Sequence, residues 1–97
     1  MSILHTVNSS PFQTFALQQC LSLLNSEDSL LLIEDAVVAA QAQHPLFGEL
    51  SELATQGRLK VLTSDLQARG IKPQIGSQCS YDDFVALVIK HKSQMAW

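Results

Sequence analysis

The apolar run Leu30-Leu31-Leu32-Ile33 constrains this chain more than any other stretch. It follows the polar break Asn25-Ser26-Glu27-Asp28 and is stopped by Glu34-Asp35. A strand with one wet face alternates apolar and polar residues, whereas a strand covered on both faces is continuously apolar, as here. Strands of the second kind belong to parallel sheets whose successive members are joined by helical crossovers.

The flanking segments supply such crossovers. Ile3 to Val7 is a short apolar run with β-branched members, and Asn8-Ser9-Ser10-Pro11 turns it toward a helix with proline near its first position. Leu17, Leu21 and Leu24 then recur at helical spacing, predicting helix one over residues 11–24. After the second strand, Ala36 to Gln43 and the Leu46, Leu50, Leu53 series predict two short helical pieces or one broken helix, ended by Gly57. Leu59-Lys60-Val61-Leu62 reads as strand three, with Ser64 capping a helical turn that Gly70 ends. Pro73 and Gly76 leave room for at most a short edge strand between Ile71 and Cys79. Ser80 caps a last helix carrying Asp82 and Asp83 in its first turn and Phe84, Leu87 and Val88 on one face, and Lys92 to Trp97 follow as a tail. No hairpin dipeptide separates the strands. The expected fold is α/β, a single small domain over residues 1–97 with a mainly parallel sheet of four to five strands and helices on both faces.

Composition narrows the function. A chain of 97 residues, 46% hydrophobic, holds one core and has no room for a second domain. Six Lys and Arg stand against nine Asp and Glu, for a net charge of -3, and the cations are scattered, so direct binding to a nucleic-acid backbone is not expected. The opening Met1-Ser2-Ile3-Leu4 has no basic region before a long apolar stretch, and no run is long enough to span a membrane; a cytoplasmic location is expected. Cys20 and Cys79 form no CxxC motif and are expected as free thiols.

No nucleotide-binding, zinc-protease or nucleophile-elbow motif is present, and neither a cofactor nor a metal site is expected. His5, His44 and His91 lie in three different settings. His5 reads either as a proton carrier or as a strand histidine bonded to a neighbouring carbonyl. Glu34-Asp35 stands at the carboxyl end of a strand, where open α/β sheets place functional groups and where acids also cap the next helix. A persulfide-carrying thiol needs exposure and a nearby cation or helix N-terminus. Cys20 sits past the middle of its helix with no Lys or Arg before Arg58, and Cys79 lies just before the last helix. Met95 and Trp97 form an apolar terminal anchor that either folds back on the domain or docks on a partner, which makes them the candidate interface residues.

Five patches resemble the TusB/DsrH family and run the length of the chain in order: Leu4-His5-Thr6-Val7-Asn8-Ser9-Ser10-Pro11-Phe12, Leu30-Leu31-Leu32-Ile33-Glu34-Asp35-Ala36-Val37, Leu62-Thr63-Ser64-Asp65-Leu66-Gln67-Ala68-Arg69-Gly70, Tyr81-Asp82-Asp83-Phe84-Val85 and Lys90-His91-Lys92-Ser93-Gln94-Met95-Ala96-Trp97. Two departures stand out: Ala36 replaces the glycine usual after the acid, and Gly76-Ser77-Gln78 replaces an apolar strand.

The resemblance implies a DsrE/F/H-like fold and a subunit of a sulfur-relay complex that passes persulfide sulfur toward 2-thiolation of the tRNA wobble uridine. It implies two paralogous DsrE/DsrF-like (TusD/TusC-like) partners in a heterohexamer, with donor and acceptor relay proteins beyond it. In that picture the principal sulfur-accepting cysteine belongs to a partner, and this chain is a non-catalytic scaffold. Some DsrH-type members carry a helix-one cysteine, and Cys20 falls at that place, which makes it the candidate secondary persulfide acceptor. Two other readings share the resemblance or the thiols: a DsrH-type subunit of a dissimilatory sulfur-oxidation complex, and a stand-alone cysteine persulfide carrier.

Overall fold

The structure is a computed structural model that describes residues 2–41 and 44–97. Five strands, β1 Ile3–Val7, β2 Ser29–Leu32, β3 Leu59–Leu62, β4 Ser77–Cys79 and β5 Ser93–Ala96, form one sheet in the order β4-β3-β2-β1-β5. Every neighbouring pair is parallel. The first three crossovers step outward one strand at a time, and the fourth returns across the whole sheet to the opposite edge. Right-handed crossovers running in opposite directions place their helices on opposite faces. Accordingly α1 Ala16–Leu23, a 3-10 segment Glu34–Ala40, α2 Phe47–Thr55 and α3 Thr63–Ala68 cover one face, and α4 Tyr81–Lys90 covers the other.

Strand β2 shows why its sequence is continuously apolar. Leu30 and Leu32 point into the larger core with Leu17, Val37, Leu50 and Val61, while Leu31 points the other way, into a smaller cluster with Leu4 and Cys79 under Phe84, Leu87 and Val88 of α4. All three β2 leucines are fully buried.

Several expectations need correction. The tail after Lys92 is strand β5, in register with β1 from Ile3 opposite Ser93 to Thr6 opposite Ala96. Its four residues are all exposed, so pairing with the β1 backbone, and not apolar burial, orders it. The bonds from Lys92 N–H to Ser2 O and from Trp97 N–H to Thr6 O extend that ladder at both ends. Helix α1 begins at Ala16, five residues later than expected, because residues 11–13 form a turn in which the Ser10 hydroxyl accepts from Phe12 N–H. Ser64 does not cap α3: that helix starts at Thr63 with Leu62 at the cap position and no side-chain cap.

Other expectations hold. Two separate helical pieces follow β2, although Ala42 and Gln43, at the end of the first expected piece, lie outside the described residues. Strand β4 is a three-residue edge strand. Ser80 caps α4 in a capping box, its hydroxyl accepting from Asp83 N–H while the Asp83 carboxylate accepts from Ser80 N–H, both at 3.1 Å.

Candidate functional site

The polar centre of the molecule is built from three distant parts of the chain. His5 lies in the middle of β1, Asp28 ends the turn between α1 and β2, and Trp97 follows β5. Parallel pairing of β1 with both β2 and β5 brings the three together.

Asp28 is fully buried, and its carboxylate accepts from Ile3 N–H at 2.9 Å, Asn25 N–H at 3.1 Å and His5 Nε2 at 2.9 Å. On the far side of the imidazole, Trp97 Nε1–H donates to His5 Nδ1 at 3.1 Å, with the two rings stacked at 6.2 Å. An indole N–H can only donate, so Nδ1 accepts and the imidazole proton sits on Nε2, aimed at Asp28. Burial pushes the Asp28 carboxyl up, but the bonds from His5, Asn25 and Ile3 outweigh it and hold the group below the ordinary carboxylate value. Arg58 closes the turn from outside, donating from Nε to the Asp28 carbonyl at 2.7 Å and from its terminal nitrogen to the Asn25 carbonyl. With both ring nitrogens bonded and the carboxylate saturated, the centre ties three chain segments together and has no free group with which to move a proton.

His5 therefore bonds a carboxylate and an indole, not the neighbouring carbonyl expected of a plain strand histidine. Trp97 folds back on its own domain, packed against the larger core. Met95, on the edge strand, remains 43% exposed. Asp28 is the residue that sequence reasoning missed. It reads there as one acid in a turn, and the only local hint is that it stands immediately before a strand pointing into the core.

The two thiols sit on opposite faces of the sheet, both free and both buried. Cys20 is fully buried on the inner side of α1; burial, and then the negative charge of Asp28, push its thiol up to about 12. Cys79 ends β4, with Sγ 3.4 Å from the Ser80 carbonyl oxygen that accepts its weak hydrogen bond. Burial and then the Asp83 carboxylate raise the Cys79 thiol above its ordinary value, opposed by Lys60. The attacking form of a cysteine is the thiolate, and both settings disfavour it.

At the carboxyl ends of β2 and β3, Glu34 takes a positive φ of 52° and gives its N–H to the Asp65 carboxylate at 2.7 Å. Asp35 pairs with Arg69 at 3.0 Å. These acids cross-link two strand exits and do not cap the 3-10 segment that follows, which has no side-chain cap. His44 bonds the Ala39 carbonyl, and His91 the Leu87 carbonyl and the Ser29 hydroxyl. Among the described residues no group of three or more His, Cys, Asp or Glu is arranged to hold a metal, and no helix is long and apolar enough to cross a membrane.

A sequence profile for the family described as DsrH like protein matches residues 9–94. The chain belongs to the DsrH family. Among curated proteins it is similar to Protein TusB of Cronobacter sakazakii, 40% identical over 98 residues that cover 98% of this chain and all of that protein. Protein TusB of Pectobacterium parmentieri is 37% identical over the same span, and Protein TusB of Escherichia coli is 40% identical over 99 residues, with coverage as complete. For this DsrH-family chain the profile match takes in β2, β3, β4 and all the helices.

Proposed function

We propose that this chain is a scaffold subunit of a sulfur-relay complex that passes persulfide sulfur toward 2-thiolation of the tRNA wobble uridine. It works in the cytoplasm, assembled with two paralogous small chains in a heterohexamer, between donor and acceptor relay proteins. The observation that carries this reading is the end-to-end similarity to proteins named TusB. The settings of the thiols support the scaffold role: Cys20 and Cys79 are buried, and burial raises both above the ordinary thiol value. A principal persulfide acceptor has to meet a bulky protein donor through an exposed thiolate, so that role falls to a partner chain. The same burial speaks against a stand-alone persulfide carrier. Cys20 would serve as a secondary acceptor only if α1 moved off the sheet.

The test is complementation of a bacterial strain lacking its own relative of this chain, with 2-thiouridine in bulk tRNA measured by mass spectrometry. The wild-type chain and the Cys20→Ser and Cys79→Ser variants should all restore the modified base. Failure of the wild-type chain would overturn the tRNA reading. Failure of Cys20→Ser alone, with the variant folded, would make Cys20 a sulfur-handling residue.

A further inference from the structure

Strand β5 is held by little of its own surface. Its four residues are exposed, and the side chain that anchors this end of the chain in the larger core is Trp97, just beyond the strand. The indole reaches inward to His5, which is buried in the middle of β1.

That bond depends on the charge of the imidazole. Trp97 Nε1–H donates to His5 Nδ1 at 3.1 Å, and an indole nitrogen can do nothing else. A neutral imidazole with its proton on Nε2 accepts at Nδ1, whereas an imidazolium carries N–H on both nitrogens and accepts nowhere. A proton added to His5 therefore sets Nδ1–H against the indole N–H. The other side of the ring responds in the opposite sense. Nε2 faces the Asp28 carboxylate at 2.9 Å, and that bond gains a full ion-pair character when the ring is charged. Charge-assisted bonds are roughly twice as strong as neutral ones, so the imidazolium stays with Asp28 and the indole has to move.

The groups around the ring come from five elements. Asp28, in the turn before β2, favours the imidazolium. Arg58, immediately before β3, grips the same turn through the Asp28 and Asn25 carbonyls and opposes added positive charge from outside. Cys20, on α1, stays neutral because burial and Asp28 push its thiol up to about 12. Strands β2 and β5 set Leu30 and Met95 opposite His5, and neither titrates.

We infer that His5, Asp28 and Trp97 form an acid-operated latch: a proton on His5 drives the indole off Nδ1 and frees the C-terminal end of β5 from β1. What the latch uncovers is the carboxyl end of β1, between the outward and the returning crossovers, the place where open parallel sheets receive ligands. The device belongs to the fold and stands or falls separately from the relay function.

Nuclear magnetic resonance of the full nitrogen-15-labelled chain tests it, in a titration from about pH 8 to about pH 5, the range in which histidines ordinarily change charge. Ring-nitrogen signals report the protonation of His5. The indole N–H signal of the sole tryptophan reports its hydrogen bond, and amide exchange at Trp97 reports the bond from its N–H to the Thr6 carbonyl. As His5 gains its proton, the indole signal should shift and begin to exchange with solvent. The Trp97 amide should lose at least about fivefold in protection, the scale of one hydrogen bond, while the amides of β2 and β3 stay protected. Trp97→Phe, which leaves Nδ1 without its donor, should bind the proton on His5 about fivefold more tightly than wild type, with circular dichroism at pH 8 unchanged. An imidazolium with the indole bond intact would overturn the inference, as would an indole released while His5 is neutral. Undiminished protection of the Trp97 amide after His5 is charged, a His5 that stays neutral until the whole chain unfolds, or equal proton affinity in wild type and Trp97→Phe would overturn it as well.

Discussion

Replacing Asp28 by Asn tests whether the buried centre holds the molecule together. The carboxylate takes three N–H donors, from Ile3, Asn25 and His5. An amide of the same shape has one accepting oxygen and one donating nitrogen. With its oxygen toward Ile3 N–H, its NH2 meets the donors of both Asn25 and His5. Flipped, it meets Ile3 N–H instead. The imidazole cannot rescue the first arrangement by moving its proton to Nδ1, because that nitrogen already accepts from Trp97 Nε1–H. Every arrangement leaves a buried donor facing a donor, and the charge assistance of the remaining bonds is lost as well. One unsatisfied buried group costs about 1–3 kcal/mol, and charge-assisted bonds contribute about 1.5–3 kcal/mol, so a loss of about 3–5 kcal/mol is expected. For a domain of this size that lowers Tm by more than about 10 °C. Urea denaturation at pH 7, followed by circular dichroism and by the emission of the sole tryptophan, measures it. A variant within about 1 kcal/mol of wild type would refute the donor count on which the reasoning rests.

The remaining predictions concern the same centre and its surroundings. Because the Asp28 carboxyl is held below its ordinary value in the fold, the unfolded chain binds the extra proton first as pH falls; the stabilisation is complete above the ordinary carboxylate range and is lost as pH drops through the folded value. The urea midpoint of the wild-type chain should therefore fall steeply below about pH 4, and that of Asp28→Asn less steeply; parallel profiles would assign acid sensitivity elsewhere. Trp97→Phe keeps an aromatic ring but deletes the donor to His5 Nδ1, and should cost at least about 1 kcal/mol in urea denaturation followed by circular dichroism. Cys20 and Cys79 should react with a thiol reagent at neutral pH far more slowly in the native protein than in urea, since both are buried and burial raises both thiols; rapid native labelling of Cys20 would show that α1 opens readily. Gly76 has a φ of 89°, and a Cβ there would lie 2.9 Å from Cγ2 of Val61, so Gly76→Ala should destabilise by about 2–3 kcal/mol in thermal unfolding.

What the sequence disclosed follows the range over which each feature is decided. The Leu30-Leu31-Leu32 run announces a strand buried on both faces because the requirement acts on each residue separately, and all three are buried where that pattern places them. Ser80 and Asp83 announce a helix start because both halves of a capping box lie within one turn. Strand β5 was illegible for the opposite reason. Ser93, Gln94, Met95 and Ala96 are exposed, so no hydrophobic pattern marks them, and their order comes from backbone bonds to β1, some ninety residues earlier. The polar centre shares that difficulty. The sequence makes His5, Asp28 and Trp97 three unrelated polar or aromatic residues; the pairing of β1 with β2 brings Asp28 to His5, and the return of the last crossover across the sheet brings Trp97. The burial of Cys20 was half legible: its flanking leucines placed it near the apolar stripe of α1, but whether it looked inward or out along the stripe's edge depended on how the helix sits on the sheet.

That last crossover also bears on where the chemistry of a relay can reside. In open parallel sheets, ligands gather outside the carboxyl ends of the strands, where connections leave in opposite directions. Here the outward crossovers start from β1 and the returning one arrives beside it as β5, so the ends of β1 and β5 are the corresponding place. Trp97 stands there, its backbone N–H bonded to the Thr6 carbonyl and its indole N–H to His5. The neighbouring strand ends are occupied by Glu34, Asp35, Asp65 and Arg69, bonded to one another. Cys20 lies beneath α1, and Cys79, at the carboxyl end of the edge strand β4, lies beneath α4. With Trp97 at the ends of β1 and β5, and large apolar side chains exposed at Phe12, Phe15, Leu23, Val85 and Ile89, the chain has its unused binding capacity in surfaces. On the proposed reading, its part in sulfur transfer is to hold other chains in place.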